Sequence, residues 1–467
     1  MNVTQDGSAN ISDVDQVANG PHFSGTLTAN AFQTGDGAQS MVTQETVNIG
    51  DGPLTTTVRQ DSGDRSTVNQ YADGGQTAIL ASVVNQTGGE GASVSDIDQD
   101  ATGSNSGEIR AIVTQTNAGN NSGVMQLTQG AESNNLSADI NQSNGAYSRV
   151  TQNALSEDSN DASAIVTQNG MGKSTITQTF DTNGAAFDLN ATVTQTGDDH
   201  ESTIDQSTAN NTSGANDGEM TATVMQSGFS NSSAITQRQN RDLLAEVIQT
   251  GDDNDSTVLQ GGANHTATVL QDGNDNLSDI EQSVSSRSNM ADVTQSGANG
   301  KSYVDQLFPA RDNSVTVTQL ASSDGAYSEV TQYGFGSNDA TIEQGGVNNR
   351  SIVNQGDDRS DDVSDNEVTV TQMGMANMSD VFQSGMSDEA TVTQTGDGNE
   401  SWIKQYGVGT GNTAEVTQSG DRNDSSITQL GEMNSASVTQ SANGDVSTIL
   451  QDGSGNIATV NQNGGAQ

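Results

Sequence analysis

The sequence predicts an all-β protein, a cross-β β-solenoid with two strands in each rung of about 22 residues. Three observations carry that prediction. A short phrase recurs from one end of the chain to the other, polarity alternates with period two around each recurrence, and the spacings between recurrences sort by parity. Composition alone points elsewhere. Of 467 residues, 30% are hydrophobic and 3% aromatic, and the formal net charge is −46. Such a profile is close to that of chains that bury too little apolar surface to offset their conformational entropy. Only three prolines are present, which does not fit a Pro-rich linker, so periodicity has to arbitrate.

The phrase is Gln-x-Gly-x-x-Asn-x-(Ala/Ser)-x-(Val/Ile)-x-Gln. Two consecutive copies run from Gln249 to Gln271, with His265 in the Asn place of the second. Gln260 closes the first copy and opens the next, so the phrase advances by eleven residues. Along the chain, 37 glutamines close such a step when Gln129 is taken as the one between Gln115 and Gln142. Val or Ile stands two residues before 35 of them, and Ala31 and Leu127 are the exceptions. In the stretch from Asn434 to Gln440, one face carries Asn434, Ala436, Val438 and Gln440, while the other carries Ser435, Ser437 and Thr439. Strict alternation of this kind marks a half-buried strand. The glycine after each Gln supplies a tight arc, since Gly accepts positive φ at little cost. Gly251, Gly262, Gly273, Gly396, Gly420 and Gly431 take that role.

Eight intervals between key glutamines exceed 14 residues, and counted from the first interval all eight are even-numbered. The three 10-residue intervals, ending at Gln70, Gln152 and Gln178, are all odd-numbered. Long and short arcs therefore lie on opposite edges of one ladder. The expected organisation is a single solenoid over 1–467 of about 18 rungs, with long arcs on one edge in 1–226 and more compact repeats in 227–467. Each buried Val or Ile contributes roughly 1.5–3 kcal/mol. Two per rung cannot outweigh the ordering of a whole rung unless backbone and side-chain polar groups pair fully above and below.

The inward amides are thus the first candidate site, as ladders that fix register between rungs. The bland reading is that amides merely tolerate a cramped core, but Leu or Thr would fill that space without needing partners. Representative ladder positions are Gln249, Asn254, Val258, Gln260, Val269, Gln271, Asn276 and Gln282, and further along Gln394, Asn399, Gln405, Gln418, Asn423, Gln429, Asn434 and Gln440. Acidic arcs come second: Asp198, Asp199, Asp252, Asp253, Asp357 and Asp358 could bridge calcium between rungs. A solvated acidic surface that keeps the chain soluble explains them more simply, and no other metal or cofactor is expected. The histidines show no metal-ligand spacing. Thr precedes the key Gln in 17 of 37 steps, but Asp, Leu, Glu, Phe and Arg59 interrupt the column, so an ice-binding array is the lesser reading. No catalytic constellation and no break in the repeat around a cleft is visible, which points away from an enzyme.

The chain has no cysteine and no apolar run near the roughly 18 residues of a membrane span, and its 14 Lys and Arg against 60 Asp and Glu disfavour nucleic acid. No leader precedes the first step at Val3 and Gln5, so an exported protein would have its leader outside this sequence. Uncapped terminal rungs at Val3 and Gln5 and at Val460 and Gln462 would invite another copy head to tail.

Quoted in full, the phrase resembles the curlin repeat of the curli major and minor subunits. Ten segments match it at every place, from the one opening at Gln5 to the one opening at Gln451. The resemblance implies an exported, extracellular subunit that polymerises into functional-amyloid fibres of a biofilm matrix, with surface adhesion and with a nucleator or secretion partner. The alternative is a monomeric solenoid segment of a cell-surface adhesin or an ice-binding protein.

Overall fold

The computed structural model describes residues 1–19, 26–47, 54–73, 79–88, 91–102, 108–129, 134–155, 160–181, 187–209, 218–283, 286–334, 336–356, 363–407 and 411–464. These residues form 37 β-strands and no helix. The chain divides into two compact units, Met1–Leu243 and Leu244–Gln467. The first holds eighteen strands, Asn2–Asp6 to Ser232–Arg241, and the second nineteen, Leu243–Asp252 to Ile457–Gln462.

Within each unit every strand pairs in parallel with the strand two places on in the chain. Leu277–Gln282 pairs with Lys301–Gln306, placing Ser278 on Ser302, Ile280 on Val304 and Gln282 on Gln306. Odd-numbered and even-numbered strands therefore form separate parallel sheets, and consecutive strands face each other across the core. The fold is a β-solenoid. Alternation decides the facing: in Leu277–Gln282 the buried residues are Ser278, Ile280 and Gln282, and the outward ones are Leu277, Asp279 and Glu281. A one-residue slip would send every one of these to the wrong face.

One sequence expectation is corrected by the register. The step between Gln115 and Gln142 closes at Gln126, not Gln129. Gln126 is fully buried and aligned with Gln99 and Gln152, whereas Gln129 is exposed at the strand end. Val124 then stands two residues before it, and the interval from Gln126 to Gln142 becomes a ninth long, even-numbered one.

The long arcs also prove to be more than insertions. In the first unit the odd strands begin one buried residue earlier, with Leu54, Leu80, Ile109, Leu136, Leu189 and Met220 each six residues before their Gln. The even strands run on two residues past theirs, to Ala72, Ala101, Ala154 and Phe180. These residues close into apolar clusters that widen the core along that edge. In the second unit the same place, six before the Gln, holds Asn289, Asn313, Asn338, Asn366, Asp388, Asn412 and Asn434. The two units thus differ in physics: one edge of the first is sealed by hydrocarbon, the same edge of the second by amides.

The Ala/Ser ambiguity of the phrase resolves by sheet. The inward residue four before the Gln is Ser in all eighteen even strands, from Ser12 to Ser447, and Ala in fourteen of the nineteen odd strands.

Candidate functional site

The sixteen ladder positions named from sequence are at most 1% exposed. In the odd sheet of the second unit, the Gln249 amide Nε2 donates to Gln271 Oε1 at 2.8 Å, and Gln271 donates to Gln295 at 2.8 Å. Gln394 donates to Gln418, and Gln418 to Gln440, at 2.8 and 2.9 Å. In the even sheet Gln260 donates to Gln282, and Gln405 to Gln429, at 2.8 and 2.9 Å. The second amide proton crosses the core to a backbone carbonyl of the opposite sheet: Gln271 reaches Asp255 O at 3.0 Å and Gln260 reaches Leu244 O at 2.9 Å. Each Gln therefore ties its rung to the next and ties one sheet to the other. Val258 and Val269, fully buried, lie in the aliphatic columns beside these amides.

The Asn columns work on the arcs. Asn254 Oδ1 accepts the backbone N–H of Asn276 at 3.1 Å, and Asn276 Oδ1 that of Gly300 at 2.9 Å. Asn254 Nδ2 donates to Gly273 O at 2.7 Å. Asn399 accepts from Asn423, Asn423 from Asp445 and Asn434 from Asn456, all backbone N–H groups at 2.9–3.0 Å. The residue just before the column often lies in the left-handed region, as Asp253 does at φ 56° and Asp275 at φ 57°. Short polar side chains tolerate that region best.

Histidine replaces Asn here by mimicry. His200 Nδ1 accepts the Asn231 backbone N–H at 3.2 Å, while Nε2 lies 3.0 Å from Thr196 O. His265 repeats this, accepting from Asn289 N–H at 3.1 Å and lying 3.1 Å from Ser286 Oγ through Nε2. Neutral imidazole with its proton on Nε2 presents the acceptor and donor of an amide. Burial holds His265 down to about 4. The third histidine, His22, lies outside the described residues.

For the arc glycines, the reason is different from the expected one. Gly251, Gly262 and Gly431 have positive φ, but Gly273, Gly396 and Gly420 do not. What they share is closeness between rungs. A Cβ on Gly251 would lie 2.2 Å from Gly273 O, on Gly273 1.9 Å from Gly297 O, on Gly396 2.1 Å from Gly420 O and on Gly420 2.0 Å from Ala442 O.

The acidic arcs are dispersed. Asp198 Oδ1 accepts the Met171 backbone N–H at 2.9 Å, and Asp199 has φ 60°. Asp252 donates its backbone N–H to Asn274 Oδ1 at 2.9 Å, and both Asp252 and Asp253 are exposed. Asp357 and Asp358 lie outside the described residues. Among the described residues no group of three or more His, Asp or Glu is placed to hold a metal ion. At the outermost strands, Val3 aligns with Ala31 and is 37% exposed, and Val460 aligns with Val438. Gln5 donates to Gln33 at 2.6 Å, and Gln462 accepts from Gln440 at 2.9 Å.

The sequence reading of Thr is also reshaped once the strands are sorted. On the odd sheet Thr316, Thr341, Thr369 and Thr391 stack on four successive rungs, and Glu415 follows.

The curlin associated repeat matches six times, at residues 251–283, 287–320, 364–396, 374–407, 409–441 and 432–464. All six lie in the second unit, where both edges carry Asn columns. Residues 251–464 are therefore curlin repeats. No curated protein matches the chain.

Proposed function

We propose that this curlin-repeat chain is the subunit of an extracellular fibre, adding copies end to end in a biofilm-type matrix. The supporting observation is the polarity of the amide columns. Every Gln bond within a unit runs the same way, from Nε2 of one rung to Oε1 of the next in chain order, as in Gln16 to Gln44 and Gln429 to Gln451. A rung therefore offers donors on one face and acceptors on the other, so its two faces are complementary rather than alike. Complementary, unlike faces make a head-to-tail contact, and such contacts build filaments when they do not close. The inward residues of Ile457–Gln462 are only half-buried, although their column mates one rung earlier are buried. A further rung would cover them. Adhesion and a nucleator belong to the same reading. In it the acidic arcs keep the chain soluble before assembly, and calcium is not required.

The test is electron microscopy of the purified chain during incubation, with fibre diffraction. Unbranched filaments with a meridional spacing of about 4.8 Å support the proposal, and protein that stays monomeric by sedimentation refutes it. The stacked threonines favour a second reading as an ice-binding face. Absence of thermal hysteresis and of ice shaping in the monomer would remove that reading.

A further inference from the structure

The outer faces of the sheets are filled by side chains, and one position breaks them. Gly123 lies in the strand Asn121–Gln129, aligned with Asp96 on one neighbouring strand and Arg149 on the other. No other described strand carries Gly at the first, third or fifth place before its Gln. Gly123 has no positive φ, and a Cβ there would meet nothing within 4 Å. Neither a turn nor a close approach of rungs requires it, unlike the arc glycines. Gly in a strand interior costs roughly 0.5–1 kcal/mol, and it commonly marks a place where another group approaches the backbone.

The result is a cleft of about 400 Å³ lined by Asp96, Asp98, Asn121, Met125, Tyr147 and Arg149 around the bare Gly123 backbone. One wall carries the two carboxylates and the other the guanidinium and the Tyr147 ring. Asn121 and Met125 close the ends along the strand. The charges do not neutralise each other: the ion pairs among the described residues are Lys173 with Glu201 and Arg238 with Asp205. The Asp96 carboxyl is held above its ordinary range, first by burial and then by Asp98.

We propose that this cleft binds a small zwitterion of the amino-acid class, free or as a dipeptide. The ammonium sits between Asp96 and Asp98, the carboxylate on Arg149, and the side chain along Tyr147 and Met125. A simple anion would face two carboxylates, a simple cation would face Arg149, and an apolar molecule would leave all three charges desolvated and unpaired. A dipolar ligand satisfies both walls, and Arg accepts a carboxylate through two parallel hydrogen bonds. Asp96 and Arg149 lie two strand spacings apart, about 9.6 Å between backbones. Their side chains narrow that gap to the reach of an amino acid or dipeptide.

The experiment is calorimetric titration of the folded full chain with L-phenylalanine and with glycyl-L-phenylalanine, each beside its N-acetylated and its C-amidated form. Saturable binding of a free zwitterion, weakened roughly tenfold or more by either blocking group, is expected. Gly123→Thr fills the cleft with the side chain common in outward columns and should abolish binding while far-UV circular dichroism is unchanged. Arg149→Gln and Asp96→Asn should each weaken binding roughly tenfold and stand in if the first variant fails to fold. No saturable binding of either probe at millimolar concentration, equal binding of the blocked forms, or full binding by Gly123→Thr overturns the proposal.

Discussion

At the scale of single residues, the columns convert chemical identity into pH dependence. His265 fills an Asn place only as neutral imidazole, because Nδ1 must accept the Asn289 N–H. Its folded value of about 4 lies below the unfolded one, so the unfolded chain binds its proton first as pH falls. The stability this group contributes is whole above about pH 6.5, declines as pH falls toward 4, and levels below. Replacing it by the amide it imitates, His265→Asn, should remove this decline, of order 3 kcal/mol. Unfolding midpoints of both proteins from pH 7 to pH 4 measure the difference, and parallel curves contradict the mimicry. Asp388 is the opposite case. Its Oδ1 accepts from Asn412 N and Nδ2 at 2.9 and 3.0 Å, but its buried Oδ2 has no partner. Burial raises this carboxyl, so its contribution is best below pH 3.8 and is lost as pH rises. Asp388→Asn should therefore stabilise the protein at pH 7 by about 1–2 kcal/mol and change little at pH 3, as read by denaturant unfolding.

At the scale of strands and arcs, much was legible and the limits have physical causes. The alternation in Ser435–Gln440 specifies a strand with Ala436, Val438 and Gln440 inward, and those three are buried. Period two makes that assignment nearly free of choice. The step at Gln126 was misread because Gln129 also follows an aliphatic residue at a distance of two, and only the pairing with Gln99 and Gln152 separates them. The Leu and Met column of the first unit was hidden because its residues border arcs of irregular length. The Gly123 cleft was invisible for another reason: Asp96 and Arg149 are 53 residues apart in the chain and meet only through the register. Arc glycines allow a test of cause. Gly420 has ordinary φ but no room, while Gly444 has φ 74° and open space around its Cβ position. Gly420→Ala should cost about 3 kcal/mol through the clash with Ala442 O, and Gly444→Ala about 1 kcal/mol through backbone strain. Equal costs in chemical unfolding would contradict the rung-approach explanation.

At the scale of the whole molecule, the low hydrophobic content no longer conflicts with a fold. Each rung buries a few aliphatic side chains, and the amides that would otherwise oppose burial are paired along the columns and across the core. A disordered-like composition and a solenoid differ here only in periodicity. The claim on which the rest depends is that strands two apart are neighbours while consecutive strands lie on opposite sheets. Because the chain has no cysteine, disulfide trapping reads this without background. Thr268 aligns with Asp292 on the adjacent rung, within the Cα separation that a disulfide spans, about 4.4–6.8 Å. The double variant Thr268→Cys with Asp292→Cys should oxidise within one chain under mild conditions. Thr268→Cys with Asp279→Cys, closer in sequence but on opposite sheets, should stay reduced. Rapid oxidation of the second pair and none of the first would contradict the fold and the function argued from it.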